Sequence, residues 1–223
     1  MKKRLLNLPI FISVFLIFSY SCNKDEVNSN IVKDIDGNVY RTIKIGTQVW
    51  MAENLKTTKY NDGTRIPDKP YYEWTYLSLG AFCNYNNNDS LASIYGRLYN
   101  WYAVNTGKLA PKGWHVPTEE DWNVLIDYLG GEAIAGGKLK QAGTANWVYP
   151  NLGATNETGF NALPGGDILE SSFIHLGEYA FWWTSTSLYD GYASGHYLVY
   201  DENYIGTNNV PHYLGFSVRC IKD

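Results

Sequence analysis

The sequence predicts an α+β domain with two main helices and short, irregular antiparallel sheets, and three observations carry that expectation. Alternating strand patterns lie near both ends of the chain. Helical periodicity is confined to its middle. The composition favours rings and tight turns over long aliphatic helices, with 19 Tyr, 8 Trp and 21 Gly against 2 Met in 223 residues. Strands at the two ends are expected to meet in one sheet, and no repeat is evident. A formal net charge of −4, with Lys and Arg scattered, builds no positive stripe for phosphates, so no nucleic-acid partner is expected.

The opening segment stands apart from the fold. Met1-Lys2-Lys3-Arg4 is basic and an apolar run follows, too short for a permanent membrane span, which is the shape of a secretory signal. Residues 1–21 are expected to be that signal, 22–30 a polar tether, and 31–223 the folded domain. "SYSC", with Ser21 before Cys22, resembles a bacterial lipoprotein box and implies lipidation of Cys22 and an outer-membrane anchor; the alternative is an ordinary signal with an incidental Cys. Lys24-Asp25-Glu26 resembles the acidic surface-export signals of Bacteroidetes lipoproteins, and would equally serve as a solvated tether. With Cys22 lipidated, Cys83 and Cys220 remain as an even pair in an oxidising compartment. They are either a disulfide, worth roughly 4–5 kcal/mol by loop entropy, or two buried thiols.

Val39, Arg41, Ile43 and Ile45 alternate with Tyr40, Thr42 and Lys44, a strand, and Gly46-Thr47 links it by a tight hairpin to "QVWM". Asp36-Gly37 is a turn; "DIDG" lacks the further ligands of a calcium loop. Residues 61–90 are irregular, with Tyr71, Tyr72, Trp74 and Tyr76 clustered. Asn86, Asn87, Asn88 and Asp89 could hold calcium, or form an Asn-rich turn without metal; no other cofactor is expected. Asp89-Ser90-Leu91 resembles a Bacteroidetes O-glycosylation acceptor at Ser90.

Two helices are legible. Tyr95, Leu98, Tyr99 and Tyr102 fall at helical spacing, with Gly107 as the stop. Thr118 caps a second helix with acids in its first turn and Trp122, Leu125, Ile126 and Leu129 as its apolar stripe, ended by Gly130. "GEAIAGGKLKQAG" is weakly helical; its "GGK" is not a phosphate loop, because Gly131 and Lys138 are one residue too far apart and Leu139 replaces the hydroxyl residue. Beyond Trp147 come short strands and glycine turns, ending in Phe216, Val218 and Cys220 alternating with Ser217, Arg219 and Ile221.

"DIDGNVYRTIKIGTQVWMAENLKTTKYNDGT", "YGRLYNWYAV", "LAPKGWHVPTEEDW", "GGKLKQAGTANW", "GFNALPGG", "FWWTSTS" and "GFSVRCIKD", in this order across residues 34–222, resemble the Fibrobacter succinogenes major paralogous domain family. The resemblance implies a C-type-lectin-like fold, distantly related to formylglycine-generating enzymes, in secreted or lipid-anchored proteins, and brings no catalytic residues. Those enzymes use a reactive, copper-binding cysteine pair, and neither Cys83 nor Cys220 lies in a motif matching it. His115, His175, His196 and His212 are widely spaced, with no HExxH, CxxC or GxSxG. Carboxylate pairs such as Glu178 with Asp190, or Asp201 with Glu202, can be chosen at will and so indicate nothing.

Trp182 and Trp183 stand side by side; on a strand they point to opposite faces, so one is expected in the core and the other nearer the surface. Trp101, Trp114 and Trp122 are expected inside. Residues 189–213 hold six Tyr among Gly, Ser, Asn and His, the composition of a recognition surface or of a half-buried meander. The expected function is a non-catalytic, lipid-anchored envelope domain binding a glycan or a partner protein. Its leading residues are Tyr192, Tyr197, Tyr200, Tyr204, Asn208 and Asn209, with Trp74 and Tyr76 as contributors. The alternatives are an accessory subunit of an outer-membrane complex and, less favoured, a formylglycine-generating-type oxidase.

Overall fold

The computed structural model describes residues 30–223. The expected signal at 1–21, the lipidation site Cys22 and all but the last residue of the tether lie outside the described residues. No described helix is long and apolar enough to cross a membrane.

The first strands form where the alternation places them. β1 (Ile31–Lys33), β2 (Val39–Ile45) and β3 (Gln48–Met51) make an antiparallel meander, and Gly46 takes φ +60° in the Gly46-Thr47 link. After a 3-10 turn at Tyr71–Tyr76 come β4 (Phe82–Cys83), a second 3-10 turn at Tyr85–Asn87, and α1 (Asp89–Tyr95). β5 (Leu98–Tyr99) and α2 (Trp101–Val104) follow.

The single helix expected around Tyr95–Tyr102 is therefore broken in two. Gly96 turns the chain with φ +83°, at a point where a Cβ would lie 2.6 Å from Asn54 Cβ. Leu98 and Tyr99 then pair with Cys83 and Phe82, and Tyr99 exchanges backbone bonds with Phe216. Asn100 restarts the helix by accepting from Ala103 N–H. These tertiary ladder bonds override the helical spacing.

β6 (Trp114–His115), α3 (Glu119–Tyr128) and α4 (Glu132–Leu139) come next. The α3 cap is as expected: Thr118 Oγ1 accepts from Asp121 N–H while the Asp121 carboxylate accepts from Thr118 N–H. The rest is strand: β7 (Gly165–Leu169), β8 (Ser172–Leu176), β9 (Tyr179–Tyr189), β10 (Tyr192–Val199), β11 (Gly206–Pro211) and β12 (Ile221–Lys222).

Two five-stranded sheets result, ordered β1-β2-β3-β12-β6 and β11-β10-β9-β7-β8, with β4-β5 as a small third. Pairing is antiparallel except where β7 meets β9. The chain ends do share a sheet, through β3 and β12. Residues 215–221 are the seam of the domain. Gly215 bridges Ile168, Phe216 bridges Tyr99, Ser217 bridges Trp182, and Ile221 joins Trp50.

Because both faces of this seam are covered, both of its alternating sets are buried. Phe216, Val218 and Cys220 pack with Tyr40, Met51, Trp101 and Trp183, whereas Ile221 packs with Trp50, Trp122, Phe160 and Trp182. The expectation that one ring of Trp182-Trp183 lies near the surface is thus corrected: both are 0% exposed, in two different core clusters. Trp101 and Trp122 are buried as expected, and Trp114 is half-buried.

The cysteines are corrected too, in favour of the second alternative. Cys83 and Cys220 are free thiols in different clusters, Cys83 with Trp74, Tyr85, Leu98 and Ile168. Burial pushes both thiols well above their ordinary pKa.

Arg219 lies in the seam and is 1% exposed, with no carboxylate among its bonded partners. Its Nε and Nη2 donate to Asn54 Oδ1 at 3.0 and 2.7 Å, and its Nη1 donates to Phe160 O. The guanidinium also lies 4.2 Å from the Phe160 ring centroid. Trp182 Nε1 donates to the same Asn54 oxygen at 2.9 Å, and Asn54 Nδ2 donates to Tyr95 O.

Asn54→Ala leaves a buried cation and an indole N–H without their acceptor, so we expect a loss of about 3–5 kcal/mol in urea unfolding. Arg219→Met, which removes the charge and keeps most of the volume, should cost no more than about 2 kcal/mol. Equal losses would mean that the node is not organised around the Asn54 oxygen. For the thiols, a thiol-specific titrant should react with neither Cys83 nor Cys220 in the native domain and with both in guanidinium without reductant; a bridge would leave both silent until reduced.

Candidate functional site

The Tyr-rich stretch occupies β10, β11 and the loop between them. Tyr197 lies opposite both Phe181 and Gly206, and Gly195 opposite both Trp183 and Asn208. Side chains directly opposite each other share a face. The register therefore puts Tyr179, Phe181, Tyr197 and Asn208 on one face, and Trp182, His196, Leu198 and Thr207 on the other.

The second face is covered by α3, with the Trp122 ring 4.8 Å from His196. On the first face the rings run outward from the core. Phe181 stacks on Phe216 at 4.8 Å, Tyr179 stacks on Phe181 at 5.4 Å with an interplanar angle of 3°, and Tyr197 lies 6.0 Å from Phe181. Gly206 makes this possible, since a Cβ there would lie 2.3 Å from Tyr197 Cζ. The Tyr197 ring thus crosses the neighbouring strand, and its hydroxyl meets that of Tyr204 at 3.2 Å. That bond, with some desolvation, pushes the Tyr204 phenol up to about 12, so its hydroxyl is a neutral donor and acceptor at pH 7. Tyr179, Tyr197, Tyr204 and Asn208 are half-buried.

Other expected site residues go elsewhere. Tyr192 pairs its ring with Tyr189 at 4.8 Å at the far end of the hairpin. Tyr200 packs against the cluster holding Trp122 and Trp182, and Asn209, opposite Ser194, is exposed on the other face. Trp74 is corrected from surface contributor to core: it is 0% exposed and donates from Nε1 to Lys69 O, filling the space left by Gly215. Tyr76 is 88% exposed in the same 3-10 turn, which packs on β8 through Tyr71 and Phe173.

Sequence reasoning missed two polar residues at the aromatic face. Asp167 on β7 is 3% exposed, and its Oδ1 lies 2.8 Å from His175 Nδ1 on β8. Burial pushes the Asp167 carboxyl up to about 6, against the opposing pull of His175. The His175 ring lies 4.6 Å from Tyr179 and 6.0 Å from Phe181. Only the alternation of Tyr179 and Phe181 about Ala180 hinted at a second ring-bearing face here.

The remaining histidines do not converge. His115 sits between Asp121 and Asp223, His196 beside Glu119, and His212 stacks on Trp101 at 4.1 Å. The Asn-rich turn spends its oxygens locally: Asn88 Oδ1 caps α1 and Asp89 accepts from Asn84. Asn86 and Asn87 are left-handed, and Ser90 is exposed. No group of three or more His, Cys, Asp or Glu is arranged for a metal among the described residues. A cleft of about 330 Å³ lies beside Asp36, Lys56, Asp89 and Arg97. Its charges are largely spent on neighbours: Asp36, despite desolvation, is held at about 2 by Lys59 and Thr58, and Arg97 donates to Lys56 O and Asn84.

The sequence model of the family described as Fibrobacter succinogenes major domain matches residues 43–222. No curated protein matches the chain, and no solved structure does.

The Asp167 carboxyl gives a pH test. Its folded-state pKa of about 6 lies above the 3.8 of the free group, so the folded state binds the extra proton between these values. Its stabilising contribution is complete below about pH 4 and is lost as pH rises through about 6, by up to about 3 kcal/mol. Asp167→Asn should remove that fall, so the variant should gain on the parent between pH 4 and 7 in denaturant titrations; parallel curves would show that Asp167 titrates normally.

Proposed function

The chain belongs to the Fibrobacter succinogenes major domain family, and from that premise we propose that it is a non-catalytic module, anchored to the outer membrane through lipid on Cys22 and facing outward, that binds a glycan. The observation that carries this reading is the row of half-buried rings at Tyr179, Tyr197 and Tyr204, with Asn208 beside them. Sugar rings present apolar C–H faces edged by hydroxyls. Tyr rings match both parts, since the ring supplies contact area at low rotamer cost and the hydroxyl supplies hydrogen bonds. Mounting Tyr179 and Tyr197 on paired strands fixes their spacing before a ligand arrives. The lectin-like fold implied by the sequence resemblance is consistent with a binding role, as an analogy of fold alone.

An oxidase of the formylglycine-generating type finds less support. It needs an accessible thiol pair, whereas Cys83 and Cys220 are buried in separate clusters with raised pKa values.

The full-length protein should be retarded in gels containing a soluble polysaccharide, and the triple variant Tyr179→Ala, Tyr197→Ala, Tyr204→Ala should lose at least tenfold in apparent affinity. Cys22→Ala should leave the membrane fraction. Retardation that survives the triple substitution would place the site elsewhere. A stoichiometric protein partner in a mild-detergent pull-down, without retardation by any polysaccharide, would make the domain a subunit of an outer-membrane assembly instead.

A further inference from the structure

The backbone at His175 departs from its strand. His175 takes φ +62° inside β8, a conformation uncommon for any residue but glycine. Opposite it, Gly166 takes φ +64°, while Gly165 pairs with Leu176 and Asp167 with Ile174 on either side. Both residues at this point are thus turned out of the ladder together, and a side chain at Gly166 is barred, since its Cβ would lie 2.5 Å from Ile174 O. The deviation carries the His175 ring to Tyr179 and Phe181, and the buried Asp167 carboxylate holds Nδ1 there at 2.8 Å. The His175 side chain remains 33% exposed, and its Nε2 has no partner among the described residues.

A left-handed non-glycine residue and a buried carboxylate both work against stability, and such expense concentrates where a side chain must be aimed. In the neutral ring, a proton on Nδ1 shared with the Asp167 carboxylate leaves the lone pair on Nε2. The charged neighbours of Tyr179 and Tyr204 are acidic: Glu178, Asp201 and Glu202. An anionic sugar would meet repulsion here.

Resting on the glycan reading above, we propose that His175, oriented by Asp167, is the specificity-determining polar group of the site, which takes a neutral sugar ring stacked on Tyr179 with one hydroxyl donating to His175 Nε2. The arrangement parallels aromatic stacking with one placed acceptor, where the stack tolerates many rings and the acceptor selects the hydroxyl's position.

The test uses the full-length protein in detergent, labelled with ¹⁵N at histidine. Its imidazole nitrogens are observed at pH 7.5, alone and with neutral gluco-, manno- and xylo-oligosaccharides or an oligogalacturonate. The expected result is the Nδ1–H tautomer at His175, a shift of its Nε2 resonance with at least one neutral oligosaccharide, and none with oligogalacturonate. His175→Asn, which tolerates the left-handed backbone, should then weaken that oligosaccharide about tenfold. An Nε2–H tautomer overturns the assignment whatever the ligand. So does binding, lost in Tyr179→Ala, that leaves the Nε2 resonance unmoved; the glycan face would then stand without His175. A response to oligogalacturonate alone overturns the neutral class. If no sugar of either kind binds, the glycan reading itself fails and this assignment falls with it.

Discussion

The arrangement depends first on one carboxamide oxygen. Asn54 Oδ1 accepts from Arg219 twice and from Trp182 once, inside a protein interior where an unpaired donor is costly. Asn54 follows β3, Trp182 is in the middle of β9, and Arg219 is in the seam, so one oxygen ties the N-terminal sheet to the second sheet and to the C-terminal end. It also fixes which way β9 faces. With Trp182 Nε1 held on one side, Trp183 turns to the other, where its Nε1 donates to Tyr99 O at 2.7 Å. A slip of one residue would reverse both rings and every other side chain of the strand. Phe181 and Tyr179 would then point at α3, and the aromatic face would not exist.

A second buried cation sets the other half of that face. Lys140 is 0% exposed and donates from Nζ to Leu152 O, Val199 O and Glu202 O at 2.7–3.0 Å. Desolvation draws its pKa down to about 8, against the pull of Asp201 and Glu202. Two of its acceptors, Val199 O and Glu202 O, define the path of the chain as it leaves β10 and heads for Tyr204, and the third, Leu152 O, ties that path to the loop around Leu152. The "GGK" run completes the same contact. A Cβ at Gly136 would lie 2.3 Å from Tyr204 O, and Gly137 N–H donates to Asn203 O. These glycines resemble a phosphate loop in sequence, yet in the fold they let α4 touch the 203–204 backbone. That approach brings Tyr204 to Tyr197.

What was legible in the sequence is what local chemistry decides. The hairpin at Gly46-Thr47, the capped helix beginning at Thr118 and the meeting of the chain ends follow from patterns within a few residues or from strand alternation. What was not legible depends on what lies across a gap. Periodicity shows that Trp182 and Trp183 point apart, but not that both faces of β9 are covered. The helical spacing of Tyr95 to Tyr102 is genuine, yet Leu98 and Tyr99 have strand partners 15 and 117 residues away, in Cys83 and Phe216. The Tyr-rich stretch was located, but its sorting by face requires the register, which separates Tyr197 and Asn208 from Tyr200 and Asn209. His175 gave no signal, because nothing in "SSFIHLGEY" announces a left-handed residue.

The edges of the second sheet say how a ligand can engage it. Strand addition needs a free, regular edge with unpaired backbone groups. At one edge, β11 is short, carries Thr207, Asn208 and Asn209, and ends in Pro211, which has no N–H to offer. At the other, β8 is interrupted by the left-handed His175. Both are features that blunt an edge against pairing with another chain. On the proposed glycan-binding role, recognition by this sheet falls to its side chains, and the face left open to them is the one where Tyr179, Tyr197 and Tyr204 meet His175. The irregularity that spoils β8 as an edge is the same one that aims the imidazole, so closing the sheet to strands and furnishing the face are a single local choice of backbone.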